Sequence, residues 1–365
     1  MTSLFDSLPL GRITLSNRIV MNPMTRSRAD AEGRVSDLAP SYYGQRATGG
    51  LLVTEGVAPS PNGKGYARIP GLWSAEQVEG WARVTRAVHD AKGHIFAQLM
   101  HTGRVSHAAN MAEGAKIVAP SALALEGQMW TDQQGQQPYP VPQALDAPGI
   151  EQAKSEFVKA AKNAIAAGFD GIELHGANGY LLEQFLSPVT NQRTDNYGGS
   201  VENRTRFVIE VATDVAAAIG ADRVALRISP YGKNGGMSEY PEVDETYLSV
   251  AKALARLGVV YLHVADHFGT SNGGPGAHPK LEALKAKLRE VWAPRAFLVG
   301  GSFDKDLAAR ALTEGKVDLV GFGRAFLANP NLVRRFRDGL ALNAADPSTF
   351  FTPGAKGYTD YPVAP

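Results

Sequence analysis

Phe169-Asp-Gly-Ile-Glu-Leu-His175-Gly-Ala-Asn178-Gly-Tyr180 is the stretch that decides the fold of this chain. Just before it, Ile150 to Ala167 carries a helical pattern that stops at Gly168, a residue type suited to a helix end. Asp170 to His175 is then a short apolar run of strand length, and the chain breaks into a polar loop punctuated by glycine. A loop at the end of a buried strand is where a scaffold presents chemistry rather than packing. Here it presents a ring nitrogen (His175), an amide (Asn178) and a phenol (Tyr180) together. Two neutral donors can hold one substrate oxygen while a phenol gives a proton, a set suited to a reaction that builds negative charge on a carbonyl or nitro oxygen. A His-x-x-Asn pair alone would equally suit a structural loop, so the surrounding pattern has to decide.

Outward from this unit the pattern repeats. Apolar runs predict strands at Arg18–Met24, Gly50–Glu55, His94–Met100, Asp170–His175, Arg223–Ser229, Val259–Ala265, Ala296–Gly300 and Val317–Phe322. Helical spacing predicts helices at Ala39–Ala47, Glu76–Ala91, Ile150–Ala167, Val201–Ile219, Asp244–Leu257, Pro279–Trp292, Asp304–Thr313 and Asn329–Leu340. Eight strands, each followed by a helix, predict an α/β fold of the (β/α)8 TIM-barrel type. A doubly wound open sheet is the alternative, but the first βα turn lacks its Gly-x-Gly-x-x-Gly. Polar residues inside the strands also share parity. Arg227 falls with Ala225 and Ser229, Glu173 with His175, and His263 with Tyr261 and Ala265, as in a barrel with one face inward. Residues 1–17 predict a small hairpin closing the barrel bottom. Residues 104–148 lack helical period and predict a long excursion after strand three, lying over the barrel mouth.

Composition excludes several classes. Of 365 residues, 44% are hydrophobic and 20% charged, and 37 Lys and Arg balance 36 Asp and Glu, which points away from nucleic acid and anionic membranes. Cysteine is absent, which removes disulfides, thiolate metal sites and a Cys nucleophile and fits a reducing compartment. The first residues show no signal-peptide pattern and no apolar run reaches membrane-spanning length, so a cytoplasmic protein is expected.

Barrel chemistry sits at the C-terminal ends of the strands. Those ends carry Pro23-Met24-Thr25, Glu55-Gly56, Gln98 with Met100 and His101, the His175–Tyr180 loop, Arg227, Asp266-His267, Gly300-Gly301-Ser302 and Gly321-Phe-Gly323-Arg324. Two glycine-rich turns on adjacent strands, the second ending in an arginine, suit a phosphate. Gln98 and Arg227 face inward, and a buried arginine needs an acceptor. Glu173 could satisfy it structurally. Alternatively, Gln98 could bind an imide edge while Arg227 neutralises charge on a planar ring, which describes a flavin. A metal site could be assembled from Glu55, His175, Asp266 and His267, although no pair has ligand spacing on one element and Arg227 would oppose a cation. No strand carries the interior lysine of a Schiff-base aldolase.

Long motifs then occur in one order: Leu15-Ser-Asn-Arg-Ile-Val-Met-Asn-Pro-Met-Thr25-Arg, Lys64-Gly-Tyr66, Gln98-Leu-Met-His101-Thr-Gly-Arg-Val-Ser-His107, Gly171 through Leu181, Gln184-Phe-Leu-Ser-Pro, Asn191 through Arg204, Gly321-Phe-Gly-Arg324 and Gly357-Tyr-Thr-Asp-Tyr-Pro362. On these the chain resembles the Old Yellow Enzyme family of flavin-dependent ene reductases nearly end to end. The resemblance implies one FMN-binding barrel domain over residues 1–365, using NADPH or NADH as hydride donor, as a monomer or homodimer. It implies reduction of electron-poor alkenes, namely α,β-unsaturated carbonyl, imide or nitro compounds. It assigns FMN to Pro23, Met24, Thr25, Gly56, Gln98, Arg227, Gly301, Ser302, Gly323 and Arg324. It assigns the substrate oxygen to His175 and Asn178, the proton to Tyr180, and a wall of the substrate space to Tyr66. Asn178, Met100 and Phe351 stand where many relatives carry His, Trp and Tyr. Met100 is expected to enlarge one wall, and the loop from His267 matches no motif of the family. The rival readings are a nitrate-ester or nitroaromatic reductase on the same site, a metal-dependent barrel hydrolase or lyase, and a non-catalytic phosphate-binding barrel.

Overall fold

The computed structural model describes residues 2–266 and 278–364. Eight parallel strands close into a barrel: Ile19–Met21, Leu51–Val57, Ile95–Leu99, Gly171–Gly176, Val224–Ile228, Tyr261–Ala265, Ala296–Gly300 and Leu319–Phe322, strands one to eight below. Strand eight pairs with strand one, with Val320 opposite Ile19, so no edge is left open. The open-sheet alternative is thereby excluded. The crossover helices are α1 (Ala39–Gly44), α2 (Ala75–Asp90), α3 (Ala147–Ala166), α4 (Leu181–Leu186), α5 (Val201–Ile219), α6 (Val243–Leu257), α7 (Pro279–Trp292), α8 (Lys305–Thr313), α9 (Arg324–Ala328) and α10 (Leu332–Asp338).

Local signals set most boundaries. Ser74 and Gln77 form a reciprocal capping box that starts α2. Gly168, at φ +88°, follows α3 and turns the chain into strand four. Two helical readings need correction. α4 lies inside what reads as a loop, because its six residues are too few to show a period. The expected helix Asn329–Leu340 is shortened to α10, Leu332–Asp338; a separate short helix, α9, ends before it at Ala328, and Pro330 stands in the gap, where it can donate no backbone hydrogen bond. Strand one is also shorter than expected, ending at Met21 before Pro23.

The parity reading corresponds to two cores. Ile172, Leu174, Val224, Leu226, Leu262 and Val264 point outward and pack under the helices. Val20, Leu51, Val53, Phe96, Ala225, Tyr261, Leu298 and Leu319 fill the barrel's lower interior. The hairpin Leu8–Leu10/Ile13–Leu15 adds Leu10 and Leu15 to that inner cluster and so plugs the bottom. The excursion after strand three forms a second hairpin, Gln128–Thr131 with Gly135–Pro138, at the opposite end. Among the described residues, no helix is long and apolar enough to cross a membrane.

Leu15 is wholly buried in the plug. Leu15→Ala is expected to lower stability by about 2–5 kcal/mol through lost burial and the cavity it leaves. Urea denaturation followed by circular dichroism would show it, and an unchanged midpoint would mean that the plug is dispensable.

Candidate active site

Above the apolar plug the barrel interior turns polar. Glu173 on strand four is wholly buried and central. Its carboxylate accepts from Gln98 Nε2 at 2.8 Å and from the Tyr261 hydroxyl at 3.0 Å, and lies 2.9 Å from His263 Nδ1. Burial alone would raise its pKa, but His263, Arg227 and the Gln98 hydrogen bond outweigh burial and hold it below the usual range. Burial pushes His263 down, assisted by Arg227 and opposed by Glu173, so a neutral ring donating from Nδ1 is the consistent assignment.

Arg227, one strand away, is not hydrogen-bonded to Glu173. Among the described residues no carboxylate lies within ion-pair distance of it, and its Nε has no partner. The structural reading, in which Glu173 exists to satisfy Arg227, is therefore only half right. Glu173 attracts the guanidinium at a distance, and its hydrogen bonds go elsewhere. Asn22 Oδ1 and His263 Nε2 are also buried without partners. A side chain at Gly321 would fall 2.0 Å from Asn22 Oδ1, and one at Gly300 would fall 2.6 Å from His263 Nε2. Glycine at both positions lets Asn22 lie across the end of the barrel.

Over this floor opens a cavity of about 1170 Å³, lined by Asn22, Pro23, Met24, Thr25, Tyr66, Asn178, Tyr180, Arg227, Gly301, Ser302, Gly323 and Arg324, among others. That exceeds the roughly 300–1,000 Å³ common for one small ligand and leaves room for a bound group and a substrate together. At one end stand the turns after strands seven and eight. Arg324 is exposed there and forms no hydrogen bond or ion pair with any described residue. A side chain at Gly323 would meet only Met24 Sδ, at 3.7 Å, so no protein atom demands glycine there. Backbone donors at the start of α9, a free guanidinium and open space fit a phosphate.

At the other end stands the loop after strand four. Asn178 and Gly179 adopt φ of +61° and +76°, a reversal that brings Asn178 Nδ2 to 3.5 Å from His175 Nε2. The Tyr180 ring lies edge-on to the His175 ring, 4.9 Å between centroids, and its hydroxyl donates to Tyr66 at 3.2 Å. Burial raises the Tyr180 pKa; the Tyr66 hydrogen bond and Arg227 act against this without overcoming it, so the phenol keeps its proton at neutral pH.

Eleven of the fourteen residues singled out from sequence border this one cavity: the three that follow strand one, Tyr66, Asn178, Tyr180, Arg227 and the four on the two glycine-rich turns. His175 lies directly behind Asn178 and Tyr180. Gln98 and Gly56 are not brought to the wall. Gln98 Nε2 is turned to Glu173, and a side chain at Gly56 would meet Met100 Sδ at 2.4 Å. Met100 is thus a packing reason for glycine at 56 that the sequence did not show. Met100 itself is buried against Gly56 and is not among the residues that line the cavity. Of the four candidate metal ligands, Glu55 accepts the Arg26 N–H, His175 packs on Tyr180 and Asp266 pairs with Lys285. His267 and the loop that follows it lie outside the described residues. Sequence reasoning missed the rim: Arg68, Trp130, Tyr139 and Phe350 line the cavity from segments that carry no periodic signal.

A model of the NADH:flavin oxidoreductase / NADH oxidase family matches residues 3–343. A Leishmania infantum protein named "Probable flavin mononucleotide-dependent alkene reductase" is 41% identical over 364 residues, covering 97% of this chain and 96% of that one. 12-Oxophytodienoate reductase 7 of Oryza sativa subsp. japonica is 38% identical over 377 residues, covering 98% and 94%. Among solved structures, the old yellow enzyme homologue from Zymomonas mobilis superposes with a TM-score of 0.94 at 39% identity, covering 99% of this chain and 100% of the other. Morphinone reductase in complex with tetrahydroNAD superposes at 0.92 with 40% identity, covering 100% and 98%. The barrel and its cavity thus define a flavin-dependent oxidoreductase. The chain belongs to the NADH:flavin oxidoreductase / NADH oxidase family and is an alkene reductase of the Old Yellow Enzyme type, with FMN as cofactor and reduced nicotinamide as hydride donor. The partnerless Arg227 Nε and Asn22 Oδ1 and the open turn at Gly323-Arg324 fit such a group, polar along one ring edge and anionic at its tail.

Arg324→Ala is expected to weaken FMN retention by one charge-assisted bond, about 1.5–3 kcal/mol. Fluorescence of released flavin during dialysis measures this, and full retention would place the phosphate elsewhere. His175→Ala and Asn178→Ala should each weaken phenol binding to the loaded enzyme by a similar roughly 1.5–3 kcal/mol. Unchanged phenol affinity in the double variant would move the oxygen site away from this loop.

Proposed function

We propose that the enzyme reduces the C=C bond of α,β-unsaturated carbonyl, imide or nitro compounds. NADPH or NADH would bind first and leave, and the alkene would then enter the same space. When bound, FMN supplies the hydride relay from the nicotinamide to the β-carbon of the alkene. The chain's own residues do the rest. His175 and Asn178 hold the activating oxygen and draw electron density toward it. Arg227, charged and without a carboxylate partner among the described residues, favours negative charge at the cavity floor. Tyr180 gives its phenolic proton to the α-carbon, which completes the saturated product.

The observation that carries this reading is the placement of Asn178 and Tyr180, with His175 behind them, on the same cavity as Arg227 and Arg324. One end can hold an anion, the floor can take charge, and the other end offers two oxygen donors and a proton. The aromatic rim formed by Tyr66, Trp130, Tyr139 and Phe351 suits a flat apolar substrate body. The absence of cysteine supports a reducing, cytoplasmic setting.

Tyr180→Phe removes only the hydroxyl. Flavin reduction by NADPH requires no proton from it and should proceed near the wild-type rate. Reoxidation by cyclohexenone should slow by the roughly 10²–10⁴-fold typical of a lost general acid. Nitroalkenes, which can leave as a nitronate, should suffer less. Stopped-flow measurement of both half-reactions decides it: cyclohexenone reoxidation at the wild-type rate would assign the proton to another donor.

A further inference from the structure

We infer that Glu183 is a positioning residue for the reduction proposed above, its buried carboxylate holding the Asn178-Gly179-Tyr180 turn in the shape that presents the oxygen donors and the proton. The inference rests on that functional reading. Asn178 and Gly179 are successive residues in the left-handed region, which glycine adopts freely and asparagine less readily. At Gly179 a side chain would fall 2.5 Å from the Asn234 carbonyl oxygen, so the turn is also crowded from without.

Two of the turn's three backbone N–H groups lead to one carboxylate. Gly179 N–H donates to Glu183 Oε2 at 2.6 Å. Asn178 N–H donates to Ser229 Oγ at 2.8 Å, and Ser229 in turn donates to Glu183 Oε1 at 2.8 Å. The Tyr247 hydroxyl donates to the same Oε1 at 2.5 Å. Glu183 is 2% exposed and has no ion pair among the described residues. Three neutral donors therefore hold one carboxylate that water does not reach.

Glu183 is also the third residue of α4, where a carboxylate often caps its own helix. Capping accounts for one donor at most. Ser229 comes from the end of strand five and Tyr247 from α6, and neither belongs to the cap. A glutamine would satisfy a cap equally well. It would not hold all three donors of this site: with its oxygen toward Gly179 N–H, its NH₂ would face the Ser229 and Tyr247 hydroxyls, which would have to turn from donating to accepting.

Burial pushes the Glu183 carboxyl up to about 7, with the bonds from Tyr247, Gly179 and Ser229 opposing burial. The acid form can place its proton only by turning the Ser229 or Tyr247 hydroxyl from donor to acceptor, so all three donors are held only by the ionised form. The groups facing it are few. Tyr240 and Tyr247 approach from α6 and the segment before it, and Arg204 of α5 lies over the Tyr240 ring. His175 and Tyr180 flank the turn itself, and His101 and Arg104 approach from the loop after strand three. The tyrosines are raised, and His101 is held near 3 by burial.

The test is the pH dependence of cyclohexenone reoxidation in the FMN-loaded enzyme, read beside phenol affinity and melting temperature. Wild-type reoxidation should fall as pH drops through about 7. Tyr247→Phe removes a donor that favours the ionised form and should move that limb to higher pH. Glu183→Gln should abolish the limb, slow reoxidation about tenfold and weaken phenol binding to a similar degree, as for a displaced catalytic group. A limb that survives in Glu183→Gln overturns the inference, as does wild-type phenol affinity in that variant. Should Glu183→Gln fail to retain flavin, the Tyr247→Phe arm decides, and an unmoved limb there is fatal. If the wild-type enzyme is not reoxidised by the enone at any pH, the failure belongs to the proposed reaction, and this inference falls with it.

Discussion

Glu173 at the centre of the barrel is the charge around which the polar interior is arranged. An ionised carboxylate in a dry interior is tolerated only when surrounded by donors and an opposing charge. Gln98, Tyr261 and His263 supply the donors, and Arg227 supplies the charge without contact. This separation matters for function. Had the carboxylate taken Arg227 into a bidentate pair, both charges would have been spent on each other. Because three other groups satisfy Glu173, the guanidinium is retained in the barrel by attraction yet keeps donor capacity toward the cavity. The floor is consequently a place where added negative charge is stabilised.

The mouth depends on a second set of buried arginines. Arg26 follows Thr25 directly, and its Nη2 donates to the Gly357 carbonyl at 2.7 Å. Arg28 reaches the Thr349, Gly354 and Lys356 carbonyls, and Arg46 reaches Phe326 and Leu327. The Tyr42 and Tyr358 rings stack at 4.1 Å, with Arg46 over Tyr42 at 4.0 Å. The segment after strand one therefore does two jobs. It lines the cavity through Pro23–Thr25, and it anchors the C-terminal tail that brings Phe350 and Phe351 to the rim. Arg68 completes the closure, pairing with Asp132 of the excursion hairpin while donating to the Ser27 and Phe351 carbonyls at 3.1 Å each.

The barrel was legible because period and parity report on burial directly. Strands four, five and six each alternate an inward polar residue with outward aliphatics, and the structure keeps every one of those assignments. The glycine-rich turns could be singled out as a candidate anion site because close approach to an anion restricts residue type, whereas the crowding of Gly300 and Gly321 by His263 and Asn22 could not be read. What escaped was whatever is set by partners distant in sequence. Gln98 could be read as inward but not as turned to Glu173, 75 residues away. Gly56 could be read as requiring smallness but not as facing Met100. The rim was illegible because the tail and the excursion are held by arginine-to-carbonyl bonds, and a carbonyl acceptor leaves no mark on the residue that provides it.

The same limit explains why the donor loop was readable and its support was not. His175, Asn178 and Tyr180 are close in sequence and carry distinct functional groups, so their convergence follows from local geometry. Their support is assembled from α4, the end of strand five and α6, through Glu183, Ser229 and Tyr247. In sequence each looks ordinary: an acid in a short helix, a serine after a strand, a tyrosine on an amphipathic helix. Strand five pairs beside strand four with Arg227 opposite His175, which places Ser229 just beyond the paired residues. Two carboxylates thus divide the work, Glu173 beneath the cavity floor and Glu183 behind its donor wall. Each is buried and multiply hydrogen-bonded, and neither borders the cavity. An interior negative charge is useful here because it aligns several donors at once, which a neutral acceptor of the same size could not do.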